Sequence, residues 1–379
     1  MRFALIKARV LLDGGFESGL AVVIDGATIE AVIPEGELPA AIERRSLGGA
    51  MLVPGFIDTQ VNGGGGVLFN DAPTVETIAR IGEAHRTFGT TGFLPTLISD
   101  DLAVVRAGIA AVDAAIAHGV PGVLGIHIEG PFLNVKRRGI HRADRIVRLD
   151  ETGFDTLTGL RHGRTLVTLA PERTSAAMIR RLAAAGLILS MGHTNATYAT
   201  TRAALEAGVT GFTHLFNAMS PLTSRAPGVV GAALEDQSAW CGIIVDGHHV
   251  DPVTLKLALR CRPHNRFMLV TDAMPSVGTR LGSFLLQGER IMVADGKCLT
   301  AAGTIAGSNL DMAAAVRGAV ALLDVCLPEA LAMAAQAPAA FLRLKDSVGR
   351  IAPGMRASLL QLNEDLTVKS TWIDGNTND

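Results

Sequence analysis

The chain has 379 residues, a formal net charge of −2, and a composition that is 48% hydrophobic but only 4% aromatic. Its lysines and arginines form neither a long run nor a stripe interleaved with aromatics, which argues against a nucleic-acid partner. The apolar runs are too short to span a membrane, and the four cysteines are far apart with no CxxC pair. These features predict a cytoplasmic protein that neither enters a membrane nor depends on disulfides.

Both ends of the chain show the pattern of short β-strands. Residues 1–52 contain brief apolar runs separated by the turn signals DGG and DGA, and residues 347–379 repeat this pattern. We expect the two ends to pair into one small β-sandwich domain.

The segment between them, residues 53–346, alternates short apolar runs with Ala-rich amphipathic stretches. This pattern is typical of repeated βα units and predicts a parallel (β/α)₈ TIM barrel as the catalytic domain. Eight candidate strands end near Asp58, Leu97, Glu129, Pro171, His193, His214, Asp246 and Asp272. Longer insertions at about 129–150 and 273–308 follow strands, so we expect both at the barrel face that carries active sites.

Three candidate metal ligands fall at these strand ends: Glu129, His193 and His214. Either histidine alone would more often be a packed core residue, but two of them with a carboxylate form a His₂Glu set. Three protein ligands leave an open position for water on a catalytic Zn²⁺, and Fe²⁺, Co²⁺ or Mn²⁺ would also fit. Asp272 ends the last strand, where it could serve as general base and then general acid.

The first barrel strand carries Gln60 and Asn62 in "PGFIDTQVNGGGG", where many barrel hydrolases carry a metal-binding His-x-His. Amides are poor zinc ligands compared with imidazole, so we interpret this pair as a vestigial second-metal position and expect one ion per chain. The glycine run that follows could cradle a phosphate, although a flexible turn is the simpler interpretation.

The ordered motifs along the whole chain resemble those of the N-acetylglucosamine-6-phosphate deacetylases of the amidohydrolase superfamily. They are "LVPGFIDTQVNGGGG", "GTTGFLPTLISD", "GIHIEGPFLN", "MGHTNAT", "THLFNAMSPLTSRAPGVVG", "DGHHVD", "LVTDAMPSVG", "GTIAGSNLDM" and "GRIAPGMRASLL". The resemblance implies a barrel with a small β-sandwich, a homodimer, and hydrolysis of the acetamide of a sugar phosphate to the free amine and acetate.

The resemblance also assigns roles by motif. It implies that Glu129, His193 and His214 bind the metal, that Asp272 is the catalytic acid and base, and that His141 hydrogen-bonds the substrate carbonyl. Sugar-phosphate contacts are expected from Asn217, Ala218, Arg225 and His249, listed in chain order. Arg225 and His249 are expected to reach the phosphate across the dimer interface.

Several alternatives stay open at this stage. The same fold could serve a cyclic amidase, a deaminase or a deacetylase for the galactosamine epimer, because no residue is seen to read the sugar C4 hydroxyl. A barrel that binds metal without catalysis is a third interpretation, and Asp272 and His141 argue against it.

Overall fold

Residues 1–377 are described by the computed structural model, and positions 378 and 379 of the predicted C-terminal segment lie outside them. Eight parallel strands pair in chain order into one sheet that curls into a nearly closed barrel. They span Phe56–Val61, Thr90–Ile98, Gly125–Glu129, Arg164–Leu169, Ile188–Met191, Gly211–Phe212, Trp240–Ile243 and Phe267–Leu269. This confirms the predicted barrel, and we number its strands one to eight in this order.

Helices surround the barrel and bury its outer face. They span Val75–Arg86, Leu102–Ala117, Glu151–Leu157, Ala176–Ala184, Tyr198–Glu206, Gly228–Glu235, Pro252–Cys261, Met312–Leu323, Leu327–Ala334 and Gln336–Phe341. Three of them end before the glycines at 119, 186 and 208, whose φ angles of 72°, 93° and 118° favour glycine. Within residues 1–377, no helix is long and apolar enough to cross a membrane.

The two chain ends form a pair of sheets beside the barrel, as the sequence predicts. One sheet contains Arg2–Ile6, Leu20–Asp25, Thr28–Pro34 and Glu43–Ser46, and the other contains Arg9–Leu12, Gly15–Glu17, Met51–Pro54, Leu359–Leu362, Val368–Ile373 and Asn376–Thr377. The central pairing of the second sheet, Val53 against Leu360, joins the N-terminal and C-terminal segments. Side chains of both sheets, such as Val22 and Trp372, share one apolar core. The domain boundaries at 52/53 and 346/347 stay predictions.

The two insertions take different forms. The first, after strand three, contains two short 3₁₀ turns, Val135–Arg137 and Ala143–Arg145. The second, after strand eight, folds into a small antiparallel sheet with strands Ser283–Leu286, Glu289–Ala294, Lys297–Leu299 and Ile305–Ser308. Because both follow the carboxyl ends of barrel strands, they lie at the same barrel face.

The glycine run after strand one is pinned rather than flexible. The backbone N–H groups of Asn62 and Gly63 both donate to the Ala273 carbonyl at 3.0 Å. The next glycines, Gly65 and Gly66, donate to the carbonyls of Val277 and Pro275 at 2.8 and 2.9 Å. These donors already have protein acceptors, so the run ties strand one to the loop after strand eight and does not act as a phosphate cradle.

Replacement of Gly63 by alanine should test this close approach. An added Cβ would lie 2.5 Å from the Val67 carbonyl oxygen and 2.9 Å from the Pro275 nitrogen, so the backbone would have to shift. We expect a destabilisation of roughly 1–3 kcal/mol in denaturant unfolding. Gly36→Ala is the matched control, because a Cβ at Gly36 meets no heavy atom within 4 Å. Equal unfolding curves for the two variants would contradict the proposed tight contact.

Candidate active site

Three buried side chains converge at the carboxyl ends of strands three, five and six. The Glu129 Oε1 atom lies 3.3 Å from His193 Nε2 and 3.0 Å from His214 Nε2, and the two imidazole nitrogens lie 3.1 Å apart. Burial by itself would raise the pKa of Glu129, but its contacts with the two imidazoles hold the pKa well below its usual range. The three ligand atoms that the sequence predicts therefore face one point.

The ring of His193 is held in one orientation by a neighbouring backbone group. Its Nδ1–H donates to the Arg137 carbonyl at 2.9 Å, so in a neutral ring Nε2 carries the lone pair. The Arg137 side chain is itself fixed, because its Nε donates to Asn195 Oδ1 at 2.9 Å. Both His193 and His214 have a positive φ, 48° and 32°, a strained conformation that is common at functional sites.

Asp272 lies beside this cluster, just beyond strand eight. Its Oδ1 accepts hydrogen bonds from Gln60 Nε2 at 3.1 Å and from Asn62 Nδ2 at 2.6 Å. Burial, and then the negative charge of Glu129, raise the pKa of Asp272 above its ordinary value. The backbone of Asp272 is also in the left-handed region, with φ 53°. A buried carboxylate with a raised pKa suits general acid and base chemistry.

His141 comes from the first insertion and is buried over the cluster. Its Nδ1 accepts a hydrogen bond from the Ser99 backbone N–H at 3.1 Å, which leaves the ring proton on Nε2. Burial, followed by the charge of His193, lowers the pKa of His141 well below its usual value, so the ring is neutral. A neutral imidazole with its proton on Nε2 is a hydrogen-bond donor that can stabilise a carbonyl oxygen.

A cavity of about 410 Å³ opens over these residues. Asn217, Ala218 and His249, three of the predicted sugar-phosphate contacts, line it together with the cluster. The His249 ring is oriented by Asp246, whose Oδ2 lies 2.6 Å from His249 Nδ1. Asp246 and Ser99 lie in the quoted motifs but were assigned no role, because their contacts with the site histidines depend on the folded chain.

Arg225 is placed differently from the other predicted residues. It lies on an exposed loop before the helix Gly228–Glu235 and is not among the residues that line the cavity of its own chain. The loop begins near Asn217, so it projects from the same barrel face.

Beneath the cluster, a chain of buried polar side chains fills the barrel interior. His127 Nε2 lies 2.7 Å from Thr168 Oγ1, which lies 2.6 Å from Thr213 Oγ1. Thr213 in turn donates to Ser190 Oγ at 2.8 Å. Burial lowers the pKa of His127 to about 4, which keeps its ring neutral. His127 is therefore a packed, hydrogen-bonded residue of the barrel core.

The side chains of Glu129, His193 and His214 have the chemistry of ligands for a divalent metal ion. One carboxylate oxygen and two imidazole nitrogens lie within 4.8 Å of one another, and all three residues are buried. Two nitrogen atoms that both face one carboxylate oxygen offer the N₂O ligand set of catalytic zinc sites. The residues therefore fit a divalent ion, with Glu129, His193 and His214 as its protein ligands.

Comparison with protein families gives two matches that together cover nearly the whole chain. Residues 51–377 match the amidohydrolase family, and residues 3–52 match the NagA composite domain. An N-acetylgalactosamine-6-phosphate deacetylase of Shewanella sp. (strain ANA-3) is 44% identical over 97% of this chain and 94% of that protein. The N-acetylglucosamine-6-phosphate deacetylase of Haemophilus influenzae is 35% identical over 99% of each chain.

Solved structures agree with these relatives. The N-acetylglucosamine-6-phosphate deacetylase of Pasteurella multocida superposes with a TM-score of 0.95 at 34% identity, with 100% of both chains covered. A mutant of the Mycobacterium smegmatis enzyme in complex with N-acetyl-D-glucosamine-6-phosphate gives a TM-score of 0.90 at 34% identity, over 99% of each chain. With the family match and these near full-length relatives, the chain belongs to the amidohydrolase family and carries the NagA composite domain at its N-terminus.

Proposed function

We propose that this protein hydrolyses the acetamide of N-acetyl-D-glucosamine 6-phosphate to D-glucosamine 6-phosphate and acetate, in amino-sugar catabolism or cell-wall recycling. The observation that carries the proposal is the convergence of Glu129, His193 and His214 beside Asp272 and His141 in one cavity. The near full-length relatives support the substrate class. N-acetylgalactosamine 6-phosphate is the second candidate, because the 44% identical Shewanella relative is a deacetylase of that epimer.

The metal site is part of this proposal. We infer one divalent ion per chain, with Zn²⁺ first among the candidates and Fe²⁺, Co²⁺ and Mn²⁺ as alternatives, held by Glu129, His193 and His214. A bound ion would supply a Lewis acid next to the substrate amide. At the predicted second-metal position, the side chains of Gln60 and Asn62 present N–H groups to Asp272. These donors would repel a second cation, which supports a single ion.

Two residues of the chain would carry the proton transfers and the charge. Asp272 would take a proton from the attacking water and later deliver it to the departing amine nitrogen, which is a poor leaving group as an anion. His141 would donate its Nε2–H to the carbonyl oxygen as negative charge develops there. The neutral ring of His141 and the buried carboxylate of Asp272 support these assignments.

The phosphate would be bound at the mouth of the cavity. Asn217, Ala218 and His249 line the cavity and are proposed as contacts of the sugar phosphate. Arg225 lies on an exposed loop outside its own chain's cavity, which supports a homodimer in which this arginine reaches the partner's phosphate. His249 lines the cavity of its own chain, so the same argument does not apply to it, and the expectation that it acts across the interface stays a prediction. The cytoplasmic location inferred from the sequence stays a prediction.

Substrate assays should separate the candidate functions. We expect acetate release from N-acetyl-D-glucosamine 6-phosphate and much slower release from unphosphorylated N-acetyl-D-glucosamine, because only the phosphate offers a charge for the cationic residues. N-acetyl-D-galactosamine 6-phosphate in the same assay would establish which epimer is preferred by kcat/KM. Equal kcat/KM for the phosphorylated and unphosphorylated sugars would rule out the phosphate contacts. Hydrolysis of a cyclic amide alone would favour the cyclic-amidase alternative.

Replacement of Asp272 by asparagine should remove the base while keeping the shape of the side chain. We expect kcat to fall by roughly 10²- to 10⁴-fold, the range typical of general acid and base catalysis. Elemental analysis should still find about one metal ion per chain, since Asp272 is outside the proposed ligand set. Near-normal kcat in the metal-loaded variant would assign the base to another residue.

A mixed dimer should show whether Arg225 acts across the interface. Arg225→Ala alone should weaken transition-state binding of the phosphorylated substrate by roughly 1.5–3 kcal/mol, the cost of a lost charged hydrogen bond. In a dimer of one Arg225→Ala chain and one Asp272→Asn chain, a trans contact puts both changes in one site and leaves the other site intact. We therefore expect activity to reappear on mixing.

The control for this experiment is Arg180→Ala, which removes an exposed arginine from the helix Ala176–Ala184. Its kcat/KM should match that of the wild type. Mixed dimers, verified by co-purification of two different tags, that give only the average of the two parent activities would place Arg225 outside the partner's site.

A further inference from the structure

The side-chain amides of strand one make specific contacts with both acidic residues of the site. The Gln60 Nε2 atom lies 3.1 Å from Glu129 Oε1 and 3.1 Å from Asp272 Oδ1, so each of its hydrogens can serve one carboxylate. The Asn62 Nδ2 atom lies 2.6 Å from the same Asp272 Oδ1. Of these four side chains, Glu129 and Asp272 line the catalytic cavity, and the two amides contact them. The predicted vestigial position is therefore occupied by hydrogen-bond donors rather than left without contacts.

The two amides donate their hydrogen bonds to the same carboxylate oxygen of Asp272. An ionised carboxylate can only accept hydrogen bonds, so the amide nitrogens must be the donors. Within residues 1–377, both side-chain hydrogen bonds to Asp272 end on Oδ1, and none ends on Oδ2. One oxygen is thus held by two amides, and the other has no side-chain hydrogen bond among the described residues.

The backbone around this contact is equally constrained. The Asp272 N–H donates to the Gln60 carbonyl at 3.0 Å, and the Asn62 N–H donates to the Ala273 carbonyl at 3.0 Å. Strand one and the loop after strand eight are therefore fixed in register on both sides of the carboxylate. The amides and the carboxylate are held at hydrogen-bonding distance by the fold itself.

Asn62 also carries a feature that a purely structural residue would not need. Its Oδ1 atom is buried and has no hydrogen-bond partner in the described part of the chain. An unsatisfied buried carbonyl costs about 1–3 kcal/mol, which a leucine of similar shape would avoid. Among residues 1–377, the one side-chain hydrogen bond that Asn62 makes is the one to Asp272. The hydrogen bond from its NH₂ group to Asp272 therefore explains why an amide stands at position 62.

We propose that Gln60 and Asn62 are positioning residues for the catalytic carboxylate: they hold Asp272 by Oδ1 so that Oδ2 is presented as the proton-transferring oxygen. This inference rests on the proposed deacetylase function. In this proposal Gln60 and Asn62 have a role in the reaction and are not only the vestige of a second metal position. Gln60 has a second task, because its other hydrogen orients the metal-ligating oxygen of Glu129. Asn62 has no contact of this kind and acts through Asp272 alone.

Amides suit this task better than the histidines that they replace in the motif. An amide donates through N–H at neutral pH but is neither a base nor an acid there, so it cannot take the proton that Asp272 must transfer. A histidine could exchange protons with Asp272 or bind a second cation. The amide pair thus orients the base without competing with it.

The test compares two near-isosteric variants, Asn62→Leu and Gln60→Met. We expect Asn62→Leu to lower kcat on N-acetyl-D-glucosamine 6-phosphate by about 10-fold or more, the size of a lost hydrogen bond to a charged group, with KM within about 2-fold of wild type. Metal affinity, measured by competition with a chelator, should stay unchanged. Gln60→Met should lower kcat in the same way and also weaken metal binding by about 10-fold, because it removes a donor from a ligand.

A double-mutant cycle then distinguishes positioning from a general structural role. If Asn62 acts through Asp272, Asn62→Leu should leave the residual kcat of the Asp272→Asn variant unchanged. A further fall of 10-fold or more in that background would overturn the proposal. Asn62→Ala serves as the second variant should the leucine disturb folding, with melting temperature as the check. Wild-type protein that releases no acetate would overturn the proposed function itself, whereas active wild type with an unchanged kcat in both Asn62 variants would overturn only the positioning role.

Discussion

The site depends on the contact that closes the barrel between strands one and eight. Asp58 is fully buried there, and its carboxylate accepts hydrogen bonds from the Thr271 hydroxyl and from the Gln60 backbone N–H. Burial raises the pKa of Asp58 to about 7, and these hydrogen bonds act against that rise. The Asp272 N–H then bonds to the Gln60 carbonyl at 3.0 Å. Because this contact sets the register of strands one and eight, it places the carboxylate of Asp272 beside the amides of strand one.

Much of this arrangement could be predicted from the sequence, because parallel strands end at one edge of a sheet. Once the apolar runs are interpreted as barrel strands, the polar residues that follow them must meet, however far apart they lie in the chain. Glu129, His193 and His214 follow strands three, five and six, and they lie within 4.8 Å of one another as that reasoning requires. The small sandwich could be anticipated for a similar reason, since both chain ends carry the turn and strand pattern of paired β-segments.

Other features depend on distant contacts that leave no local pattern. His193, His214 and Asp272 have positive φ angles, and no glycine at these positions indicates this in the sequence. The carbonyl that orients His193 belongs to Arg137, which lies 56 positions earlier in the chain, in the 3₁₀ turn Val135–Arg137 of the first insertion. The hydrogen bond between Gln60 and Asp272 spans 212 positions, so the composition of either motif gives no indication that an amide would serve the acid. The sequence thus predicted where these residues lie better than it predicted the hydrogen bonds that they make.

The second insertion supplies one wall of the cavity and is not part of the barrel itself. Thr304, Ile305 and Gly307 line the cavity from this small sheet, whereas the proposed metal ligands and Asp272 follow barrel strands. This wall of the cavity and the proposed metal ligands are therefore carried by separate parts of the chain. Mutations in this sheet can change the shape of this cavity wall while the proposed metal ligands and Asp272 keep their places. The fold therefore separates the shape of the binding space from the proposed reacting groups.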